Sequence, residues 1–320
     1  MSRRVVAVSL LAALTMGACA PTLKDARTHL TAEDRGHVAF ATPETLVRSG
    51  VSRLVPAAPV VLTGELTLPA GPGPFPAVVL MHGCGGVGNA EGGWVDPLTR
   101  AGYATFVVDS FTGRGMSEVC TNGRTLVAIQ RIPDAYGALR ILATHPRLDA
   151  TRLVLMGFSH GGGVTFGAST RWAHDRYASR AGAAFRAFFP FYPGCNSVYP
   201  ERLSISAPLR IHIGEMDDWT PAAPCRDLVE ALRGSGQDAE ITIYRGAHHS
   251  FDNVGRPVTW LPRVDNGAGC TIDAVSILGP VNNLTDVLGC LRKGATLGWS
   301  ATATEQARRN VLEQLGTLLR

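Results

Sequence analysis

The chain has 320 residues, 45% of them hydrophobic, and a formal net charge of +4 at pH 7. This length and apolar content are sufficient for one large folded domain. The charge falls to about +2 if Arg3 and Arg4 are removed with a signal peptide, so the sequence offers no basic surface for nucleic acid.

The N-terminus resembles a bacterial export signal. Arg3 and Arg4 precede the apolar stretch 5–18, which is too short to span a bilayer but suits a signal-peptide core. It ends in Met16-Gly17-Ala18-Cys19, which resembles a lipobox with Cys19 as the lipidated residue. The alternative, soluble secretion, would place Pro21 directly after the scissile bond. We expect residues 1–18 to be removed and the protein to lie in the cell envelope, lipid-anchored in the outer membrane or periplasm.

Residues 19–50 are polar and weakly patterned, and we predict a tether with a short helix there. Residues 51–320 are predicted to form a single domain. It begins with an alternating stretch, 60–68, that is typical of an edge strand. A fully apolar run, 75–81, then predicts a buried strand, which ends in the loop His82-Gly83-Cys84-Gly85-Gly86.

The same loop contains a possible dinucleotide-binding motif. Gly83, Gly85 and Gly88 follow a strand, and Asp109 ends the next predicted strand. Two observations oppose this interpretation. Gly92-Gly93 should break the helix that would hold the pyrophosphate, and an exported protein has no access to the cytosolic nicotinamide pool. No cofactor is therefore predicted.

The most informative motif follows the apolar run 152–156. Gly157-Phe158-Ser159-His160-Gly161 matches the G-x-S-x-G turn that presents a nucleophilic serine between a strand and a helix. This predicts an α/β-hydrolase fold, with a mostly parallel sheet and helices on both faces. In that fold the acid and the base follow later in the chain. Upstream, 125–144 has helical spacing that Pro133 should kink or divide.

Two later strand ends offer the acid and the base. Asp217 and Asp218 follow the predicted strand 209–213, and His248 and His249 follow the predicted strand 241–244. By position alone either carboxylate could be the acid and either imidazole the base, so Asp218 and His248 are the alternatives to Asp217 and His249.

These motifs together resemble the dienelactone hydrolase family over residues 60–252. G-x-S-x-G is followed by G-x-x-D and then by G-A-x-H-x-F. The resemblance implies that Ser159 is the nucleophile, Asp217 the acid and His249 the base. The oxyanion donors would be the backbone N–H groups of His160 and, by the resemblance, Cys84. The founding members carry cysteine in place of Ser159, a difference that retains acyl transfer and favours ester substrates.

Several other residues near these motifs have both a structural and a functional interpretation. Trp219 is a packing residue or a lining residue of the substrate pocket. Arg114 either meets an anionic substrate or fixes its loop through an ion pair. Trp94, His82 and His212 are expected to be structural.

Seven cysteines agree with an oxidising compartment. Without Cys19 six remain, which allow 15 connectivities. We expect three disulfides, although some of these residues could instead be buried thiols. The expected pairs are Cys84–Cys120, Cys195–Cys225 and Cys270–Cys290. None of the cysteines has the spacing of a metal site, so no metal is predicted.

Residues 253–300 form an unusually long predicted insertion after the base. A short helix over 283–291 is predicted within it. Because the insertion follows His249, it is either a rim or partial lid of the pocket, or a surface elaboration.

The sequence therefore predicts a serine hydrolase that cleaves small carboxylic esters or lactones through an acyl-enzyme. Two alternatives remain: a peptidase of a related α/β-hydrolase type, and a non-catalytic envelope binding lipoprotein with a decayed site. No nucleic-acid partner is expected, and the oligomeric state is open.

Overall fold

The computed structural model describes residues 22–49, 53–178, 182–274 and 289–320. The strands are β1 Gly36–Ala41, β2 Thr45–Ser49, β3 Arg53–Ala57, β4 Val61–Thr67, β5 Phe75–Met81, β6 Ala104–Asp109, β7 Leu148–Phe158, β8 Phe185–Phe191, β9 Ser197–Val198, β10 Leu209–Gly214, β11 Ala239–Tyr244, β12 Thr259–Asn266, β13 Ile272–Asp273 and β14 Arg292–Leu297. The helices are α1 Asn89–Arg100, α2 Ile132–Leu142, α3 His160–Ser169, α4 Arg171–Tyr177, α5 Ala222–Gly234 and α6 Ala301–Leu318.

Eight strands form the central sheet in the order β1-β4-β6-β5-β7-β8-β10-β11. The two pairs that join β1, β4 and β6 are antiparallel, and every other pair is parallel. The middle strands are buried on both faces, and all six positions of β10 are buried, including Arg210 and His212. This is the predicted α/β-hydrolase fold.

The helices form two packed groups. In one, the Tyr136 hydroxyl of α2 donates to the Ala168 carbonyl of α3, and the Tyr136 ring packs against Tyr177 of α4. In the other, Arg308 of α6 donates to the Gly93 carbonyl of α1. The helix that follows the nucleophile motif, α3, is buried along nearly its whole length, because its glycines allow close approach to the sheet. No helix within the described ranges has the length and apolar character needed to cross a membrane.

The N-terminal region differs from the predicted tether. Strand β1 pairs with β4 and forms the sheet edge, so the stretch predicted as an edge strand occupies the second position instead. Strands β2 and β3 form a separate antiparallel pair across residues 45–57. The tether prediction is wrong for residues 36–49. Phe40, which is fully buried against Phe106, explains why this short segment is held in the fold.

Pro133 divides the region that was predicted as a kinked helix. A short 3-10 helix spans Ala128–Arg131, and α2 begins at Ile132 with Pro133 in its first turn. Proline is tolerated there because the first N–H groups of a helix have no partner within the helix.

The three disulfides are the pairs expected from the sequence. They join Cys84 to Cys120, Cys195 to Cys225 and Cys270 to Cys290, across 36, 30 and 20 residues. In the chain-entropy model, loops of this size contribute about 3 to 4 kcal/mol each.

The insertion after His249 contains a two-stranded ribbon. Strands β12 and β14 pair antiparallel, and Gly298 N–H donates to the His249 carbonyl. The ribbon is therefore fastened to the backbone of the predicted base. The helix predicted over 283–291 lies mostly outside the described residues.

Candidate active site

The Ser159 backbone adopts the strained geometry of a strand-to-helix turn. Its φ is 54° and its ψ is −112°, a conformation that residues other than glycine rarely adopt. The flanking glycines are required by close contacts. A Cβ at Gly157 would stand 2.2 Å from the Gly161 carbonyl oxygen, and a Cβ at Gly161 would stand 2.1 Å from the Met81 carbonyl oxygen. The motif therefore places the Ser159 side chain at the carboxyl end of β7.

The structure brings Ser159, His249 and Asp217 into one hydrogen-bonded chain. His249 Nε2 lies 2.8 Å from Ser159 Oγ, and His249 Nδ1 lies 2.8 Å from Asp217 Oδ2. His249 and Asp217 are only 1% and 5% exposed. If Nδ1 carries the proton, Nε2 is free to accept the serine proton, which is the arrangement needed for an activated nucleophile.

The Asp217 carboxylate is held by the residues that follow it. The backbone N–H groups of Trp219 and Thr220 donate to Oδ1 at 2.9 and 2.8 Å, and the Thr220 hydroxyl donates to Oδ2 at 2.9 Å. The alternative acid, Asp218, instead accepts bonds from the N–H and hydroxyl of Thr296 in β14, at 2.7 and 2.8 Å. Asp218 thus fastens the ribbon, and Asp217 faces His249.

His248, the alternative base, does not join this chain. Its Nδ1 is buried and makes no hydrogen bond to the part of the protein that the structure describes. Successive side chains alternate in direction at the end of an extended segment, so only one of two adjacent histidines can face Ser159.

The predicted oxyanion donors lie on the two sides of Ser159. His160 is the first residue of α3, and Cys84 lies in the loop after β5. Both line the same cavity as Ser159. A Cβ built at Gly83 would stand 3.6 Å from Ser159 Cβ, so this loop directly adjoins the nucleophile.

Glu91, which was not predicted from the sequence, holds this loop at both ends. Its carboxylate accepts from Gly83 N–H at 3.2 Å and from Gly88 N–H at 2.9 Å. Glu91 is 2% exposed, and burial raises the pKa of its carboxyl to about 7. An acidic residue three positions after a helix N-cap is an indication that the sequence offered.

Glu91 also bears on the dinucleotide interpretation. Helix α1 runs through Gly92-Gly93, so the expectation that these residues break it is wrong. Glu91 instead argues against a bound dinucleotide. Its carboxylate takes two N–H groups of the glycine loop that a pyrophosphate would need.

Arg131 is a second missed residue. It is fully buried, and it donates to His160 Nδ1 at 2.7 Å and to the His82 carbonyl at 3.0 Å. Burial lowers the pKa of His160 to about 3, and the neighbouring Arg131 charge acts in the same direction. The His160 ring is therefore neutral, and its Nδ1 accepts from the Arg131 guanidinium.

The remaining sequence candidates have clear positions. Trp219 packs 4.9 Å from the His249 ring and lines the site, as one interpretation predicted. Arg114 forms two bonds with the buried carboxylate of Asp134, at 2.9 and 2.7 Å, and lines neither cavity beside Ser159. This favours the loop-fixing ion pair over a substrate contact. Trp94 is buried and donates to Asp252 at 2.7 Å.

Two cavities meet at Ser159. The smaller, of about 170 Å³, is lined by His160, Gly163 and Tyr199 among others. The larger, of about 340 Å³, is lined by His249 and by Leu261 and Leu297 of the ribbon. The Cys84–Cys120 disulfide and Trp219 border both. The insertion thus forms a wall of the larger cavity, as one of the two interpretations predicted.

The described residues contain no group of three or more His, Cys, Asp or Glu side chains that could hold a metal ion.

Comparisons with known proteins agree with this architecture. A model of the dienelactone hydrolase family matches residues 62–269. A Bradyrhizobium protein named "Probable 2-oxo-3-(5-oxofuran-2-ylidene)propanoate lactonase" is 24% identical over 213 residues, which cover 63% of this chain and 80% of that protein. Among solved structures, a dienelactone hydrolase-like promiscuous phosphotriesterase from metagenomic libraries matches with a TM-score of 0.54 and 15% identity. It covers 89% of this chain and 100% of that one, and it shows a shared fold.

Proposed function

The chain belongs to the dienelactone hydrolase family, and on that premise we propose that it is a serine hydrolase of carboxylic esters or lactones that works through an acyl-enzyme. The observation that carries this proposal is the chain of contacts from Ser159 Oγ to His249 and on to Asp217, each 2.8 Å long. A serine is a weak nucleophile unless a base removes its proton, and His249 has the required position.

The first half-reaction attaches the acyl group to Ser159. His249 Nε2 takes the hydroxyl proton while Oγ attacks the ester carbonyl, and Asp217 stabilises the imidazolium that forms. The carbonyl oxygen becomes an oxyanion, which the N–H groups of His160 and Cys84 would stabilise. One such donor is worth about 3 kcal/mol of transition-state stabilisation. His249 then returns the proton to the departing alcohol.

The second half-reaction releases the acid. A water molecule takes the place of the alcohol, His249 accepts its proton, and the hydroxide attacks the acyl-enzyme carbonyl. The same oxyanion donors act again, and Ser159 recovers its proton when the carboxylic acid departs. For a lactone, the alcohol and the acid are parts of one molecule.

We also propose that the protein acts in the bacterial cell envelope, where a lipid on Cys19 anchors it. The support is the sequence of residues 1–19 together with the disulfides, which persist in oxidising compartments.

A fluorophosphonate probe on the purified oxidised protein, followed by peptide mass mapping, tests the serine mechanism. We expect a label on Ser159 in the wild type and none in His249→Ala, because the probe reacts with an activated serine. Absence of label in folded wild-type protein would instead support the binding-protein alternative.

A further inference from the structure

The acyl part and the alcohol part of an ester would occupy different cavities beside Ser159. This step rests on the proposed function, in which His249 Nε2 returns a proton to the departing alcohol. His249 lines the larger cavity and not the smaller one. The alcohol must therefore lie in the larger cavity, and the acyl group in the smaller cavity on the side of His160.

The smaller cavity limits the size of the acyl group. Its volume is about 170 Å³, and a cavity of about 150 Å³ holds one benzene molecule. The wall near the nucleophile is made of small residues. A Cβ at Gly163 would stand 3.3 Å from the Ala128 Cβ and 3.4 Å from the Tyr199 hydroxyl oxygen. A short acyl chain fills this space.

Tyr199 supplies a polar group to this apolar cavity. The residue is 3% exposed, and its ring packs edge-on against Phe166 at 5.2 Å. The hydroxyl lines the cavity but makes no hydrogen bond to any other described residue. The hydroxyl oxygen keeps some solvent access, because it opens onto the cavity, and there it can donate to a ligand atom. Burial raises the pKa of Tyr199, and the hydroxyl therefore stays protonated as a donor.

The geometry also indicates where the ligand atom lies. Gly163 N–H donates to the Ser159 carbonyl at 2.9 Å, so Gly163 lies one helical turn, about 5.4 Å, from the nucleophile residue. The Tyr199 hydroxyl lies beside Gly163. That separation suits an oxygen on the third or fourth carbon of an acyl chain attached to Ser159.

We propose that the smaller cavity is the acyl subsite, that it selects short acyl groups bearing a hydroxyl or keto oxygen, and that the Tyr199 hydroxyl binds this oxygen. Tyr199 is thus a specificity-determining residue, which discriminates between substrates by a hydrogen bond that an alkyl chain cannot form.

Two p-nitrophenyl esters of the same shape test the proposal. The 4-oxopentanoate carries a keto oxygen where the 4-methylpentanoate carries a methyl group, and each rate is divided by the hydroxide-catalysed rate of the same ester. We expect wild-type kcat/KM to favour the oxo ester by about tenfold, the value of one neutral hydrogen bond. Tyr199→Phe should lose this preference, whereas Tyr103→Phe, a half-buried tyrosine that lines neither cavity, should keep it.

Equal preference in wild type and Tyr199→Phe would overturn the proposal, as would a wild type that does not distinguish the two esters. If the proposed serine hydrolase function itself is wrong, the result is different. In that case neither ester is hydrolysed and the fluorophosphonate probe leaves Ser159 unlabelled, and the acyl subsite is rejected together with the mechanism.

A second variant tests the cavity itself. Gly163→Ala adds a methyl group between Ala128 and Tyr199, so kcat/KM for the 4-oxopentanoate should fall about tenfold more than kcat/KM for p-nitrophenyl acetate. Gly316→Ala in α6, where a Cβ meets no atom within 4 Å, is the matched control. An equal loss for both esters would place the acyl group outside this cavity.

Discussion

At the scale of single residues, adjacent side chains of the same chemical type have different positions and contacts in the site. His248 and His249 are adjacent imidazoles, and Asp217 and Asp218 are adjacent carboxylates. In each pair one side chain joins the hydrogen-bonded chain to Ser159, while the other does not. The difference lies in backbone direction at the strand ends and not in intrinsic chemistry.

This separation gives a paired prediction for the histidines. His249→Ala should lower kcat/KM by about 10⁴-fold or more, because the serine loses its base. His248→Ala should retain most of the activity. Steady-state kinetics on one aryl ester measures both variants, and circular dichroism checks that each is folded. A large loss in His248→Ala with an active His249→Ala would reverse the assignment.

At the scale of elements, two independent sets of interactions hold the loop from Gly83 to Gly88. Glu91 of α1 accepts from the N–H groups at both ends, and the Cys84–Cys120 disulfide joins the start of the loop to the segment that follows β6. A predicted oxyanion donor must keep its position while charge develops on the substrate, and a loop without such interactions would reorganise. The Glu91 hydrogen bonds and the disulfide each lead to a separate prediction.

Glu91 should make stability depend on pH. Its pKa is about 7 in the folded protein and about 4.5 in the unfolded chain, so between these values the folded state holds a proton that the unfolded state has lost. The free energy of unfolding should therefore fall as pH rises from about 4.5 to about 7. Relative to Glu91→Gln, the wild type should lose about 3 kcal/mol across this window.

Urea unfolding of the wild type and Glu91→Gln at several pH values measures this difference. Glu305→Gln, on an exposed position of α6, is the control and should track the wild type. A constant difference between wild type and Glu91→Gln across the window would show that the Glu91 pKa is not raised.

Loss of the Cys84–Cys120 disulfide should affect kcat more than it affects folding. Replacement of both Cys84 and Cys120 by serine frees the loop that carries one predicted oxyanion donor, and a small displacement of such a donor lowers kcat by about 10- to 100-fold. The same double replacement at Cys270 and Cys290, which line neither cavity, is the control. Unchanged kcat in a folded Cys84/Cys120 variant would show that the loop holds its position without the bond.

At the scale of the whole molecule, one sheet assembles a site from distant parts of the sequence. Ser159, Asp217 and His249 follow β7, β10 and β11, whose parallel order places their carboxyl ends along one edge. The ribbon of β12 and β14 then closes one side, because Gly298 N–H bonds to the His249 carbonyl and Asp218 bonds to Thr296. The larger cavity beside Ser159 is therefore bounded by an element outside the sheet.

The proposed lipid anchor is tested on the full chain. In a Gram-negative host, wild-type protein should incorporate labelled palmitate and sediment with membranes. Cys19→Ala should lose the label and leave the membrane fraction, because the lipid has no attachment point. Ser159→Ala should remain labelled and serves as the control. Membrane retention of unlabelled Cys19→Ala would indicate another mode of attachment.

Much of the fold and the site follows from local patterns. The apolar run of β5 required burial in a parallel sheet, and Gly157 and Gly161 required a turn too tight for any side chain. Strand β1 was missed because its buried residues, Val38 and Phe40, lie in a stretch too short to stand out from its polar surroundings. Tyr199 was missed because a lone tyrosine has no pattern until its partners are known. Glu91 was missed because its one indication, a position three residues after the Gly88 helix N-cap, depends on where the helix begins.

The sequence by itself determined the fold class, the order of the predicted nucleophile, acid and base, and the even set of cysteines. These features depend on residue type and spacing, which local sterics and burial impose along the chain. Only the tertiary structure decided which of two adjacent histidines faces Ser159, what holds the Gly83–Gly88 loop, and which cavity contains Tyr199. Apart from the bonds of Glu91 to its own loop, those outcomes depend on contacts between residues tens of positions apart, and such contacts exist only after the chain has packed.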